Sequence, residues 1–373
     1  MTEILTRTES PATTSPATPL ADGATPQRVP ITGRVFRTRR FSVRIDPRAI
    51  TVCLSLALAT VAIGLWSISV GDFSIPISDV VATLLGNPTA DSEFIVGTLR
   101  LPRVLVGAGV GAALGMSGAI FQSLVRNPLG SPDIIGFTSG AALGAVMVIV
   151  YLGGTSLQVS MGAVAGGLIS ALVVYLLAWK RGVQAYRLVL VGIGAGFAIT
   201  ATIDYMITRA DIVDVQRAAV WMTGSLNGRG WDEVRIVTVA LVVLGPLAVL
   251  MQRNLDRLDL GDDTAAALGI DVGRAKLSLV LVGVSLASLG VAAAGPIAFI
   301  AFVSGPIARR LVNSPRACIV PAAFVGALVT ATADLAARRV MAPTELPVGI
   351  MTALIGAPYL LWLLTRQSRT GAL

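Results

Sequence analysis

Long apolar runs recur along this chain and restrict it to one class of fold. A helix needs about twenty apolar residues to cross a hydrocarbon core of ~30 Å, and several runs approach or exceed that length. With 54% apolar and 13% charged residues, the composition lies outside that of ordinary globular domains. We therefore predict an all-α, polytopic membrane protein with about ten transmembrane helices. The predicted spans are 50–70, 101–125, 134–152, 157–179, 188–208, 234–252, 277–294, 296–311, 318–337 and 346–365.

The first 48 residues differ in composition from the rest. They are rich in Thr, Pro, Ala and Ser and then become basic, with a series of arginines from Arg34 to Arg48. Such a segment buries too little apolar area to fold. Residues 1–48 are therefore predicted to form a disordered basic tail, and residues 49–368 the transmembrane domain. No small-residue cleavage site follows the first apolar run, so we do not expect a cleaved secretory signal.

The distribution of positive charge predicts the orientation of the chain. An even number of spans places both termini on one side of the membrane. If that side is the cytoplasm, the tail and the inner loops hold most of the 29 Lys and Arg residues, as the positive-inside rule requires. The net charge of +8 is then explained by contact with membrane lipids, and we expect no nucleic-acid partner.

The residue types in this sequence do not indicate catalytic chemistry. The chain has no histidine, the commonest general base. Residues 115–118 match the GxSG pattern of rhomboid-type serine proteases, but a nucleophilic serine needs a base, so we interpret Ser117 as a packing residue. No GxxxxGK(S/T) phosphate-binding loop is present. We predict no enzyme activity, no catalytic or metal-binding residues and no cofactor.

A polar segment over residues 253–276 interrupts the apolar runs. Asp262 and Asp263 follow Gly261 and open a short run that Gly269 closes, which predicts a helix of one to two turns with acids at its positive end. Connections between helices usually take 2–8 residues, and this one is longer. A compact helical projection offers a grip for a separate, force-transmitting protein. A solvated loop without a partner remains equally open.

Three arginines lie at the outer connections in this orientation. Arg100 and Arg103 flank Pro102 at the start of the second span, and Arg338 ends the ninth. Interfacial arginines often extend to lipid headgroups, and by themselves these favour that role; the alternative is that they bind carboxylates of an external docking protein. Asp334 lies four residues before Arg338, so the two are expected to pair on one helix face. Acids inside the spans are too few, and too near the outer ends, to favour ion-coupled transport.

Small residues recur at intervals of four within the spans, which lets helix backbones approach closely in a membrane. A loose internal repeat is also visible, because Arg126-Asn127-Pro128 is echoed by Asn313-Ser314-Pro315 after similar apolar stretches. Duplicated halves are common in transporters. The glycines spaced four apart are Gly107, Gly111 and Gly115; Gly136, Gly140 and Gly144; Gly162 and Gly166; and Gly192 and Gly196.

Five ordered sequence blocks carry a resemblance to a known family. They read LRLPRVLVGAGVGAALGMSGAIFQSLVRNPLGSPDIIGFTSGA (99–141), WMTGSLNG (221–228), LGDDTAAALGI (260–270), AGPIAFIAFVSGPIARRL (294–311) and ELPVGIMTALIGAPYL (345–360). In these blocks the chain resembles the FecCD family, the permease subunits of ABC importers for iron–siderophores, haem and vitamin B12. The similarity runs from about residue 50 to 367.

The resemblance implies a permease of the type II ABC importer architecture in a bacterial inner or plasma membrane. It implies uptake of a ferric siderophore, with catecholate, enterobactin-like compounds as the expected class, driven by ATP hydrolysis in a separate subunit. The implied partners are ABC ATPase subunits, a second FecCD-type permease chain (a paralogue rather than a copy) and an extracellular or periplasmic siderophore-binding lipoprotein. The alternative is a stand-alone secondary carrier or channel for a small solute.

The resemblance also implies roles for particular residues. It assigns docking of the binding protein to Arg100, Arg103 and Arg338. The cytoplasmic gate is assigned to Gln184, Ala185 and Tyr186. The residues that resemble the ATPase-coupling helix are Gly261, Asp262, Asp263, Thr264, Ala265, Leu268 and Gly269. One departure stands out: the family usually has Pro-His where this chain has Gly305-Pro306, so we expect a shifted kink there and no titratable group.

Overall fold

The computed structural model describes residues 34–37, 42–71, 73–88, 92–180 and 184–369. The chain divides into two units, Met1–Pro47 and Arg48–Leu373. In the first unit, strand β1 (Arg34–Arg37) pairs antiparallel with strand β2 (Ser42–Ile45). These two segments form a hairpin within residues 1–48, and the predicted disorder of the rest of this tail stays a prediction. Residues 1–33 lie outside the described residues.

Helices make up the regular structure that is described after the hairpin. A π-helix, Glu93–Arg100, leads directly into α3. The α-helices are α1 (Pro47–Ser69), α2 (Ile77–Leu84), α3 (Leu101–Val125), α4 (Phe137–Leu152), α5 (Ser156–Ala178), α6 (Ala185–Arg209), α7 (Ile212–Met222), α8 (Trp231–Leu258), α9 (Asp262–Ala267), α10 (Val272–Ala294), α11 (Ile300–Val312), α12 (Ile319–Arg339) and α13 (Val348–Arg369).

Each of the ten predicted spans coincides with one of these helices, and the predicted all-α membrane fold is confirmed. Within the described residues, seven helices are long and apolar enough to cross a membrane, and Phe137–Leu152 and Val348–Trp362 are shorter apolar helices. The remaining one of the ten predicted spans, 296–311, corresponds to α11, which has 13 residues. It begins four residues later than predicted because Gly295 and Phe299 have left-handed backbone conformations (φ 77° and 68°), which keep the intervening residues out of a helix.

Three helical segments lie between the predicted spans and were not predicted. They are α2, the π-helix and α7. Each has 8 to 11 residues, too few for a membrane crossing. Hydropathy that detects long apolar runs does not detect such segments, because their apolar residues are interrupted by polar ones.

Helix α3 forms the centre of the bundle and packs against α12, α10, α11 and α8. Association of helices in lipid depends on close packing, because lipid is as apolar as the side chains. A Cβ atom on Gly111 would collide with the carbonyl oxygen of Gly326, and one on Gly115 with that of Ala322. The predicted role of the spaced glycines is therefore confirmed at this crossing. Between α4 and α5, Gly144 meets Gly162 in the same way.

The helix ends define two sides of the bundle. We call the side where α1 begins the amino-terminal side. The end of α11 lies there, because Arg48 near the start of α1 donates to Leu311 O in α11. The end of α3 and the short helix α9 also lie there and contact each other through Arg126. We call the other side the opposite side. It holds the ends of α1 and α12, because Arg338 contacts Ser67, and the start of α3, because Arg103 binds Asp334 in α12.

Candidate coupling and docking sites

Helix α9 has the form that the sequence predicted for the polar segment. It begins after Gly261, whose φ of 113° suits glycine, and Gly269 follows it with a φ of 81°. The Gly269 amide donates to Ala266 O at 2.9 Å and the Ile270 amide to Ala265 O at 3.1 Å. These two bonds form the Schellman pattern that satisfies the last carbonyls of a helix. The predicted short helix with a glycine stop is confirmed.

Asp262 connects α9 to the rest of the bundle. Its Oδ1 accepts a bond from Arg126 Nη2 at 2.9 Å, and its Oδ2 is paired with Lys276 Nζ in α10. Arg126 also donates to Leu258 O, at the end of α8, at 2.7 and 3.1 Å. Charge-assisted bonds of this kind are about twice as strong as neutral ones. One carboxylate thus joins the start of α9 to the ends of three bundle helices.

The other residues predicted to couple to an ATPase divide into a buried and an exposed set. Ala265 is fully buried against the bundle. Leu268 is 55% exposed, and Asp263 and Thr264 are exposed beside it. An exposed leucine bordered by an acid and a hydroxyl forms a small amphipathic surface. The arrangement can hold α9 in place through Ala265 and Asp262 while presenting Leu268 to another protein.

On the opposite side, Arg103, Arg338, Asp334 and Glu345 form what we call the arginine cluster. Arg103 binds Asp334 Oδ1 and Glu345 Oε2, each at 2.9 Å. Arg338 Nε lies 3.4 Å from Asp334 Oδ2, which confirms the predicted pair. The side chains of Arg103, Arg338 and Asp334 are 12%, 10% and 4% exposed. Charges this well buried are retained only with partners, because desolvation is costly.

Arg100 is held by backbone carbonyls. Its guanidinium donates to Ile68 O at 2.6 Å and to Phe73 O at 2.7 Å, so it connects the end of the π-helix to the last turn of α1 and to the segment that follows. Each of the three arginines predicted to bind a docking protein is thus engaged within the chain. Sequence reasoning missed Glu345 because a loop acid distant in sequence gives no periodic signal that it pairs with α3.

Comparison with known proteins gives the family. The model of the FecCD transport family matches residues 58–366. The chain belongs to the FecCD transport family. Among curated relatives, the ferric enterobactin transport system permease protein FepG of Escherichia coli (strain K12) is 39% identical over 327 residues, covering 88% of this chain and 99% of FepG. The Fe(3+)-citrate import system permease protein YfmE of Bacillus subtilis (strain 168) is 37% identical, covering 88% and 98%.

A solved structure shares the fold. The chain superimposes on an inward-facing structure described as a metal-chelate type ABC transporter with a TM-score of 0.76 at 25% identity, covering 85% of this chain and 99% of that one. This FecCD chain is therefore a permease subunit of the ABC importer class, a transport component without catalytic activity of its own. The alternative of a stand-alone carrier is not favoured by these relatives.

The gate candidates lie where α6 begins on the amino-terminal side. Gln184 precedes the helix, Ala185 is its first residue and Tyr186 is exposed. Residues 181–183 of the same turn lie outside the described residues. The structure shows these side chains on the surface of the FecCD permease, and their role in gating stays a prediction.

The departure at Gly305-Pro306 has a local compensation. Pro306 lies inside α11 and has no amide hydrogen, so the carbonyl of Phe302, four residues earlier, loses its helical donor. The buried amide of Gln122 in α3 replaces it, since Nε2 donates to Phe302 O at 2.8 Å and also to Pro128 O at 2.9 Å. Gly305 makes room for this side chain, because a Cβ there would collide with Gln122 Oε1.

Proposed function

We propose that this FecCD permease carries a ferric siderophore of the catecholate class into the cell as part of an ABC importer. FepG, whose name specifies ferric enterobactin, is 39% identical over nearly its whole length, which supports the class of cargo. The observation that carries the mechanism is α9, a closed short helix that is anchored at Asp262 and presents Leu268 outward.

In this proposal a separate ATPase subunit binds α9. Displacement of α9 would act on Asp262 and, through Arg126 and Lys276, on the ends of α3 and α10. A partner changes the populations of two bundle states only if it binds them with different free energy. The short chain of charge-assisted bonds would link α9, where the ATPase binds, to the end of the central helix α3.

The orientation and the remaining partners follow from the same proposal. The amino-terminal side faces the cytoplasm of a bacterial inner or plasma membrane, in agreement with the positive-inside rule. A second FecCD-type chain, a paralogue, completes the permease, and a siderophore-binding lipoprotein docks on the opposite side near Arg100, Arg103 and Arg338. A carboxylate of that lipoprotein would have to compete with Glu345 for Arg103.

The experiment is uptake in liposomes that contain the chain with its co-purified partners, which mass spectrometry identifies together with the cargo. Asp262→Lys with Leu268→Asp should abolish ATP-driven uptake while the chain remains inserted. The matched control is Asp232→Lys, an exposed acid at the start of α8, which should leave uptake unchanged. If the double variant transports normally, α9 is not the coupling element. If the chain alone concentrates a solute along an ion gradient, it is a secondary carrier instead.

A further inference from the structure

A cavity of about 740 Å³ opens on the amino-terminal side, beside α9. It lies between the ends of α3, α8 and α11 and is lined by residues of each. The proposed transport cycle uses one of its lining residues, Arg126, to hold Asp262. The rest of the lining has no role in that cycle.

Two similar turns form facing walls of this cavity. Arg126 directly follows α3 and Asn313 directly follows α11, and both are in the left-handed conformation (φ 54° and 55°). Each is followed by a turn with proline at its second residue, Asn127-Pro128 and Ser314-Pro315. The loose sequence repeat thus becomes a pair of equivalent helix ends on one cavity. Asn127 Oδ1 accepts a bond from the Leu129 amide at 2.8 Å, which leaves its NH₂ group as a donor.

The charges of the lining are strongly unequal. Arg126, Arg309 and Arg310 line the cavity together with the single acid Asp259. Burial, and to a lesser extent neighbouring Asp256, raises the pKa of Asp259 to about 6 in spite of the nearby arginines. A carboxyl in this state gives a weak counter-charge near neutral pH.

Arg309 and Arg310 supply the positive charge of the lining that is not balanced by a salt bridge. In the part of the chain that the structure describes, neither has a carboxylate oxygen within 4.0 Å. Arg309 Nη2 lies 3.4 Å from the neutral Gln122 Oε1, and the Arg310 guanidinium lies over the ring of Trp362 at 5.1 Å. Arg309 is partly buried, and a cation withdrawn from water without a counter-ion is unfavourable. The cavity therefore favours an anion.

We propose that this cavity binds a phosphate-type oxyanion through Arg309 and Arg310, from either an anionic phospholipid headgroup or free phosphate. The planar guanidinium fork matches the oxygens of phosphate in a bidentate manner, and Asn127 and Asn313 on the two turns add neutral donors. The partly exposed apolar side chains of Leu311 and Trp362 lie next to these arginines in sequence or in space. They give acyl chains a surface to follow, which fits the lipid source.

The test uses the purified full-length chain and native mass spectrometry. Phosphatidylglycerol is titrated against phosphatidylcholine, and inorganic phosphate is titrated separately and as a competitor. Arg309→Gln with Arg310→Gln should lower the affinity for phosphatidylglycerol about tenfold or more, the loss expected for one or two charge-assisted bonds. The matched control Arg274→Gln removes an exposed arginine that is paired with Asp271 and should stay within about twofold, as expected for a solvated pair.

A second variant separates loss of the site from loss of folding. Arg309→Lys with Arg310→Lys keeps both charges but lacks the bidentate fork, so its affinity should lie between those of the wild type and the glutamine variant, with the same elution profile as the glutamine variant. If the wild type binds phosphatidylglycerol in preference to phosphatidylcholine and the glutamine variant does not, the lipid source is supported. If inorganic phosphate binds the wild type as tightly as phosphatidylglycerol does, the free anion is supported. If both probes bind the glutamine variant as well as the wild type, the proposal is wrong. It is also wrong if only association with the ATPase subunits weakens, since the cavity then receives an acidic protein segment.

Discussion

Two groups of charged residues at opposite ends of the bundle use similar side chains in different ways. The arginine cluster closes around Asp334, which is 4% exposed between two nearly buried arginines. At the other end, Asp262 and Arg126 are about two-fifths exposed, and the buried Lys276 completes the group. The first group joins helices of one chain and leaves little charged surface exposed for a partner. The second joins helices and also leaves acid and apolar surface for a partner.

The difference has an energetic basis. Removal of one member of a buried ion pair leaves an uncompensated charge and costs about 3–5 kcal/mol, whereas an exposed pair contributes about 0–1 kcal/mol. We therefore expect stability to depend mainly on the arginine cluster and transport to depend mainly on α9. The predictions below test that division.

The largest effect is expected at Asp334. Asp334→Ala leaves Arg103 and Arg338 without their shared carboxylate and should lower the free energy of unfolding by about 3–5 kcal/mol. Denaturant unfolding of the purified chain in detergent measures it. Asp232→Ala, which breaks the exposed pair with Arg235, is the control and should cost less than about 1 kcal/mol. Equal losses in the two variants would remove the distinction between buried and exposed groups.

A smaller loss of stability is expected at Asp262. Asp262→Asn keeps the shape but weakens the bonds to Arg126 and the buried Lys276, and should cost about 1–3 kcal/mol. Leu268→Ser, by contrast, changes an exposed residue of the same helix and should leave stability within about 0.5 kcal/mol while it weakens association with the ATPase. Unfolding and pull-down measurements on both variants test this. If Leu268→Ser destabilises the chain more than Asp262→Asn, the assignment of anchor and surface is reversed.

Substitution of Glu345 tests whether Arg103 of the arginine cluster can bind a partner protein instead of Glu345. Glu345→Gln removes the more exposed partner of Arg103 and should cost no more than about 1 kcal/mol. It should also strengthen docking of the siderophore-binding lipoprotein, because Arg103 then has a free binding position, and the gain should shrink with added salt. Surface plasmon resonance at two salt concentrations measures it, with Glu93→Gln as the control. An unchanged or weaker affinity would indicate that the cluster is only structural.

At Asp259 the expected effect depends on pH. Its pKa in the folded chain is about 6 instead of the ordinary 3.8, so the folded state binds the proton more tightly than the unfolded state. The stabilisation is fully present below about pH 4 and is lost as the pH rises to about 6. Asp259→Asn should therefore raise the melting temperature relative to the wild type at pH 7.5, and by less at pH 4.5. A pH-independent difference would contradict the raised pKa.

Sequence predicted the fold well where length and apolar composition determine it. All ten spans coincide with helices, and α9 was predicted from Gly261, Gly269 and the acids between them. The start of α11 was missed because the left-handed Phe299 has no sequence signal of its own. The arginine cluster was only partly predicted, since Asp334 and Arg338 are neighbours on one helix, whereas Arg103 and Glu345 are 242 positions apart. Contacts between distant segments depend on packing, which local patterns do not contain.

The glycines at the α3 crossings also determine which positions of this protein tolerate amino-acid substitution. Gly118 faces the carbonyl of Ala301 so closely that any heavier residue must push the two backbones apart. Phe197 on α6 and Leu58 on α1 are largely exposed, so another apolar residue there would displace no backbone of this chain. Substitutions should therefore be tolerated at the rim of the bundle far better than along its axis.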